Sequence, residues 1–144
     1  MNSRRPTALP RLFLLLCLLA TGVITSSSAQ SPSLAGEWRG TYNINIGGDR
    51  EIIFTLTEVN GVLSGVFDNP TAGVMAVSVE TLSIDGNNIR MLIPRIQGEY
   101  YGTIRDELGA DGKPVRIDGD WSQAGEYIPI SLTRTVPQQT EAMP

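Results

Sequence analysis

The residues able to do chemistry are few, and their types argue against catalysis. The chain has no histidine, and its single cysteine, Cys17, lies in an apolar N-terminal segment. It contains neither a Gly-x-Ser-x-Gly elbow nor a Gly-rich phosphate loop. Nucleophilic triads and histidine-ligated zinc are therefore excluded, and no carboxylate pair stands out as acid and base. The sequence predicts a non-enzyme without a cofactor or a metal.

Acidic residues concentrate around one predicted loop: Asp106, Glu107, Asp111, Asp118 and Asp120. Closely spaced carboxylates could bind Ca²⁺, but this spacing lacks the alternate-residue ligands and the glycine of an EF-hand loop. A solvated acidic loop is the preferred interpretation.

A second set of residues is suited to binding. Alternation along the predicted strands turns seven large side chains toward one interior: Trp38, Tyr42, Phe54, Phe67, Met91, Tyr100 and Trp121. They could line a pocket for a small apolar or amphipathic ligand, or they could simply fill the core of a small barrel. Tyr101 and Tyr127 fall on the outer face, where they could join an interface with another protein.

The elements that must position these residues are short β-strands. From Glu37 onward apolar and polar residues alternate with a period of two, as in strands with one buried and one solvated face. Turn sequences such as Asn60-Gly61 and Asp85-Gly86 separate the strands. One phase slip, at Glu80-Thr81, predicts a bulge inside a single strand over residues 77–84.

The strand order predicts an all-β fold, a small antiparallel up-and-down barrel of about eight strands. Every connection except 68–73 is short enough for a hairpin, which favours a meander over long crossovers. Four glycines take inward positions in mid-strand, where the backbone must bend or a large neighbour needs space: Gly40, Gly65, Gly102 and Gly119. The domain is expected to span 30–135, followed by a flexible tail over 136–144.

Residues 1–29 have the pattern of a secretory signal peptide. Three arginines accompany an apolar run over 12–24, and Ser27-Ser28-Ala29 fits a cleavage site. A membrane span needs roughly 20 apolar residues, so a cleaved signal is favoured over an uncleaved anchor. Twin-arginine export through Arg4-Arg5 is a further alternative. We expect a periplasmic or extracellular protein without stable membrane anchoring after cleavage.

Charge limits the partners of the exported chain. All 15 acidic residues but only eight of the 11 basic ones follow residue 29, which leaves residues 30–144 with a net charge of −7. Such a chain repels phosphate backbones and anionic lipids, so nucleic acid is excluded as a partner. Cys17 is lost with the leader, and no intramolecular disulfide is expected.

Five segments, in this order, resemble a known family: Gly36–Thr41, Asn60–Gly65, Tyr100–Ile104, Ile117–Gly125 and Ile128–Arg134. The first is similar to the Gly-x-Trp start of lipocalins. The whole series resembles the lipocalin-like β domain that precedes secreted bacterial serine hydrolases of the α/β-hydrolase type. The resemblance covers about residues 34–135 and implies a barrel. No hydrolase sequence follows within this chain, so the activity of the fused proteins is not carried over.

Two functions are expected from this combination. The first is an exported, non-catalytic protein that binds a small apolar or amphipathic molecule inside the barrel. The second is an accessory module that docks on another protein, such as a separate secreted hydrolase. A filled barrel with a purely structural role is a third interpretation.

The signal peptide makes a direct prediction. The protein expressed with its own leader in a bacterium should be recovered from the periplasm or the medium with Gln30 at or near its N-terminus. N-terminal sequencing or intact mass measures this. A mature species that retains residues 12–24 would identify the apolar run as an anchor.

Overall fold

The computed structural model describes residues 33–44 and 47–136. The chain divides into two units, 1–30 and 31–144, and all the described residues belong to the second. The predicted signal peptide and the tail beyond Val136 lie outside the described residues, so both stay predictions.

The described chain is all-β, which confirms the predicted fold class. Its nine strands are β1 (Gly36–Asn43), β2 (Asp49–Val59), β3 (Val62–Asn69), β4 (Val74–Val79), β5 (Thr81–Asp85), β6 (Asn88–Ile93), β7 (Gly98–Ile104), β8 (Arg116–Gln123) and β9 (Glu126–Arg134). Single 3-10 turns at Pro70–Ala72 and Pro94–Ile96 link β3 to β4 and β6 to β7. Among the described residues no helix is long and apolar enough to cross a membrane.

The strands form one antiparallel sheet that curls into a nearly closed barrel, in the order β4-β3-β2-β1-β9-β8-β7-β6-β5. Every pairing joins neighbours in the chain except that of β1 with β9, which brings Trp38 opposite Arg134. The first and last strands therefore join the two halves of the up-and-down meander, and the sheet has its two edges at β4 and β5. Antiparallel alternation places the β1–β2, β3–β4, β6–β7 and β8–β9 connections together at one end, here called the upper end, and the start of β1 at the lower end.

The strand predicted over residues 77–84 is two strands, which accounts for nine strands rather than about eight. β4 pairs with β3, whereas β5 pairs with β6 on the other side of the barrel. Glu80 forms the bend between them, and its backbone N–H donates to the carbonyl of Leu92. The phase slip in the sequence thus marks the point where the chain changes pairing partner. The irregular register lies earlier, where β3 and β4 pair around Ala76.

The interior is packed with large side chains, and two glycines make room for one of them. Gly102 on β7 lies directly opposite Gly119 on β8. The ring of Tyr100 covers both glycines, and its hydroxyl donates to the carbonyls of Ile117 and Ile130, at 3.2 and 2.9 Å. Burial, with the nearby carboxylates of Asp118 and Asp120, raises the Tyr100 pKa well above its ordinary value.

A buried arginine closes the lower end of the barrel. The side chain of Arg134 is 3% exposed. Its Nε donates to the carbonyl of Pro114 at 2.8 Å, and two more nitrogens bind the Asp111 carboxylate at 2.9 and 2.6 Å. These bonds attach the β7–β8 loop to the end of β9. Hydrogen bonding by Arg134 holds the pKa of Asp111 at about 2.

Replacing Gly119 with alanine should destabilise the fold by about 1 to 3 kcal/mol. The added Cβ would overlap the backbone carbonyl of Tyr101 and lie 2.5 Å from the Cα of Gly102, and a change of rotamer cannot relieve a backbone clash. Thr57→Val, on an exposed position of β2, should change the free energy of unfolding by less than about 0.5 kcal/mol. Urea unfolding followed by circular dichroism measures both, and equal small effects would contradict the inward placement of Gly119.

The Arg134 contact predicts a specific pH dependence. The pKa of Asp111 in the folded chain, about 2, lies below its ordinary 3.8. The contact therefore contributes fully above the ordinary pKa and is lost as the pH falls through about 2. At pH 6 the wild-type protein should have a larger free energy of unfolding than Asp111→Asn. This difference, measured by urea unfolding, should become smaller as the pH falls toward 2. Asp106→Asn, at an exposed loop position, is the matched control, and a gap that does not change with pH would refute the linkage.

Candidate functional site

A cavity of about 410 Å³ opens at the upper end of the barrel. Its walls come from the end of β1, the 3-10 turn after β6 and the β8–β9 hairpin. The lining residues are Tyr42, Ile44, Ile96, Trp121, Gln123, Ala124, Glu126 and Ile128. The wall thus combines apolar side chains, an aromatic pair and two polar groups, a composition typical of sites for small organic molecules.

Trp121 is the largest side chain in the cavity wall, and its position is fixed from several sides. Its indole stacks on Phe67 with ring centroids 5.0 Å apart and planes 6° apart. On the other side it covers Gly98, where an added Cβ would lie 2.5 Å from the ring. Only 1% of Trp121 is exposed, so the surface of the residue that borders the cavity is small.

The structure divides the seven predicted ligand-binding residues into two groups. Tyr42 and Trp121 line the cavity. The other five are buried in the core beneath it: Trp38, Phe54, Phe67, Met91 and Tyr100. Phe54 is central to that group, with its ring 5.2 Å from Phe67 and 5.8 Å from Tyr100.

Trp38 lies apart from the upper cavity. It pairs with Phe54 on one side and with Arg134 on the other, toward the lower end of β1. Its indole N–H donates to the carbonyl of Leu34 at 2.9 Å, which satisfies the one polar atom of the ring. The two tryptophans, which have similar sequence settings, therefore belong to different parts of the barrel.

Six cavity residues were not predicted as ligand-binding from the sequence, and three of them lie outside the strands: Ile44, Ile96 and Ala124. Ala124 in the wall and Gln97, which follows the wall residue Ile96, both adopt left-handed backbone conformations, at φ 51° and 53°, although neither is glycine. The amide of Gln123 donates to the carbonyl of Ile96 at 3.1 Å and so connects the hairpin to the 3-10 turn. Ile128 could have been found from the sequence, since it continues the inward alternation of β9 that buries Ile130 and Leu132.

Arg50 is an inward-facing charge at the same end. It lies directly opposite Tyr42 in the β1–β2 ladder. One of its terminal nitrogens donates to the carbonyl of Thr71 at 3.3 Å. Its Nε is buried and has no hydrogen-bond partner among the described residues. A buried N–H of a charged group without an acceptor is costly, and Arg50 is not among the residues that line the upper cavity.

The acidic residues of the predicted loop are separated by the structure. Asp111 binds Arg134, whereas Asp118 on the outer face of β8 accepts hydrogen bonds from Ser131, Arg116 and Arg105 at 2.7 to 2.8 Å. Those three bonds, that of Ser131 first, hold the pKa of Asp118 well below its ordinary range. Within residues 33–44 and 47–136, no group of three or more acidic, histidine or cysteine side chains could hold a metal ion.

Comparison with known protein families, with curated proteins and with solved structures finds no match to this chain.

Proposed function

We propose that this protein is an exported, non-catalytic binding protein that holds a small amphipathic molecule at the upper end of its barrel. The observation that carries the proposal is the cavity of about 410 Å³ against Trp121. Its volume falls within the range of sites for small organic ligands. The fully buried side chains beneath it leave the ligand at the mouth of the barrel rather than along its axis.

The chemistry of the wall favours an amphipathic ligand over a purely apolar one. Ile96, Trp121 and Ile128 offer an apolar surface to one part of the molecule. The Tyr42 hydroxyl in the same wall supplies a donor for an acceptor oxygen in another part. We therefore expect a retinoid or a quinone to bind more tightly than a hydrocarbon of equal size.

A second function, docking on a partner protein, is favoured by Tyr101 and Tyr127. These side chains are 51% and 76% exposed on the outer face of the barrel. Exposed tyrosines are enriched at protein interfaces because they supply contact area at a low entropic cost. The two functions use different surfaces of the chain.

Binding should be visible in tryptophan emission. Native mass spectrometry of the protein purified from its host should find a bound small molecule, and titration with retinoids and quinones should shift or quench the emission of Trp121. Ile128→Asn should weaken binding roughly ten-fold, because it replaces apolar cavity wall with an amide.

Val66→Asn is the matched control, since it makes the same kind of change on the outer face of β3 and should leave affinity unchanged. Trp121→Phe keeps most of the ring surface but removes the indole donor, so it should weaken a ligand with a polar head by about 1 kcal/mol. An empty protein in the mass spectrum and unchanged emission across both ligand classes would reject the proposed site.

A further inference from the structure

A second, smaller cavity lies on the outer face of the barrel and is built from three neighbouring strands. It has a volume of about 260 Å³ and is lined by Glu99, Tyr101, Asp120, Ser122 and Tyr127. Tyr101 on β7 is directly opposite Asp120 on β8, and Ser122 on β8 is directly opposite Tyr127 on β9. The two aromatic rings therefore stand on either side of β8, with Asp120 and Ser122 between them.

Of the two carboxylates in this outer cavity, one is paired with an arginine and the other is not. Glu99 is paired with Arg90 on the neighbouring strand. Asp120 makes no ion pair or hydrogen bond through its side chain within the described part of the chain, whereas Asp118, two residues earlier, is bound by two arginines. One uncompensated negative charge thus lies between two exposed tyrosine rings.

This arrangement is complementary to a cation. The faces of aromatic rings carry negative potential and attract a cation within about 6 Å of the ring centre. The carboxylate of Asp120 adds a charge partner, and the net charge of −7 over residues 30–144 attracts cations toward the chain. An anion would meet Asp120 and Glu99, and a purely apolar group would leave Asp120 without solvent or a partner.

We propose that the outer cavity binds an arginine side chain presented by a partner protein. A guanidinium is planar, so it can stack on a tyrosine ring while its edge donates to Asp120, which the compact ammonium of lysine cannot do in the same way. The cavity, at about 260 Å³, has room for one side chain, and it lies on the outer face of the sheet, which a partner's surface can reach. The inference rests on the docking function proposed for Tyr101 and Tyr127, and it is independent of the upper cavity and of any small ligand held there.

Nuclear magnetic resonance titration of the full-length mature chain tests this directly. The probe is the peptide acetyl-Gly-Ser-Arg-Ser-Gly-amide, compared with the same peptide carrying the neutral isostere citrulline. The arginine peptide should cause saturable shifts at the backbone amides of Asp120, Ser122 and Tyr127. The citrulline peptide should bind at least five-fold more weakly, because it keeps the shape but loses the charge.

Matched variants separate this site from general charge attraction. Asp120→Asn and Tyr127→Leu should each weaken the arginine peptide about two- to five-fold, whereas Tyr127→Phe keeps the ring and should bind like wild type. Asp106→Asn removes one exposed charge elsewhere and should have no effect. Since Asp120 and Tyr127 are exposed, thermal unfolding should be unchanged.

Three results would overturn the proposal. The first is equal binding of the citrulline and arginine peptides, and the second is an equal loss of affinity in Asp106→Asn and Asp120→Asn. The third is a set of shifts that avoids β8 altogether.

Discussion

The pairing of β1 with β9 is the contact on which the barrel depends, because every other strand pair joins neighbours in the chain. It places Trp38 opposite Arg134 at the lower end, where the arginine is buried and bound to Asp111 and to the backbone of the β7–β8 loop. A charge taken out of water must be fully hydrogen-bonded to be tolerated. The β7–β8 loop therefore has a structural role, since it supplies the acceptors that Arg134 requires where the first and last strands meet.

The packed interior determines where a ligand can bind. Tyr100 lies across Gly102 and Gly119 and binds two backbone carbonyls, and Phe54 and Phe67 fill the space toward Trp121. The central layers of the barrel are thus filled with side chains, and the two proposed binding surfaces lie at one end and on the outer face. The upper cavity lies where turns meet the ends of β1, β8 and β9, whereas strand register sets the outer cavity.

Much of the fold could be predicted from the sequence because the signals are local. Alternation with a period of two and turn pairs such as Asn60-Gly61 identify strands and hairpins, and the mid-strand glycines identify close packing. The buried arginine at the lower end and the upper cavity were harder to predict. Burial of Arg134 depends on a loop some twenty residues away, and the turns beside the upper cavity contain Gln97 and Ala124 in conformations that their residue types do not favour. The phase slip at Glu80 is visible in the sequence. Whether it marks a bulge within one strand or a break between two depends on the strands that pair on either side of it.

The bend at Glu80 has a consequence for solubility. β4 and β5 are the two edges of the sheet, and unpaired edges are templates on which other chains can add strands and aggregate. Because these edges are consecutive in the chain, they stay side by side: β4 contacts β6, and β3 contacts β5 across the seam. Both are also short, with six and five residues. Because β4 and β5 follow one another in the chain, each covers the unpaired edge of the other. This arrangement hinders intermolecular strand addition although no hydrogen-bonded ladder joins the two edges.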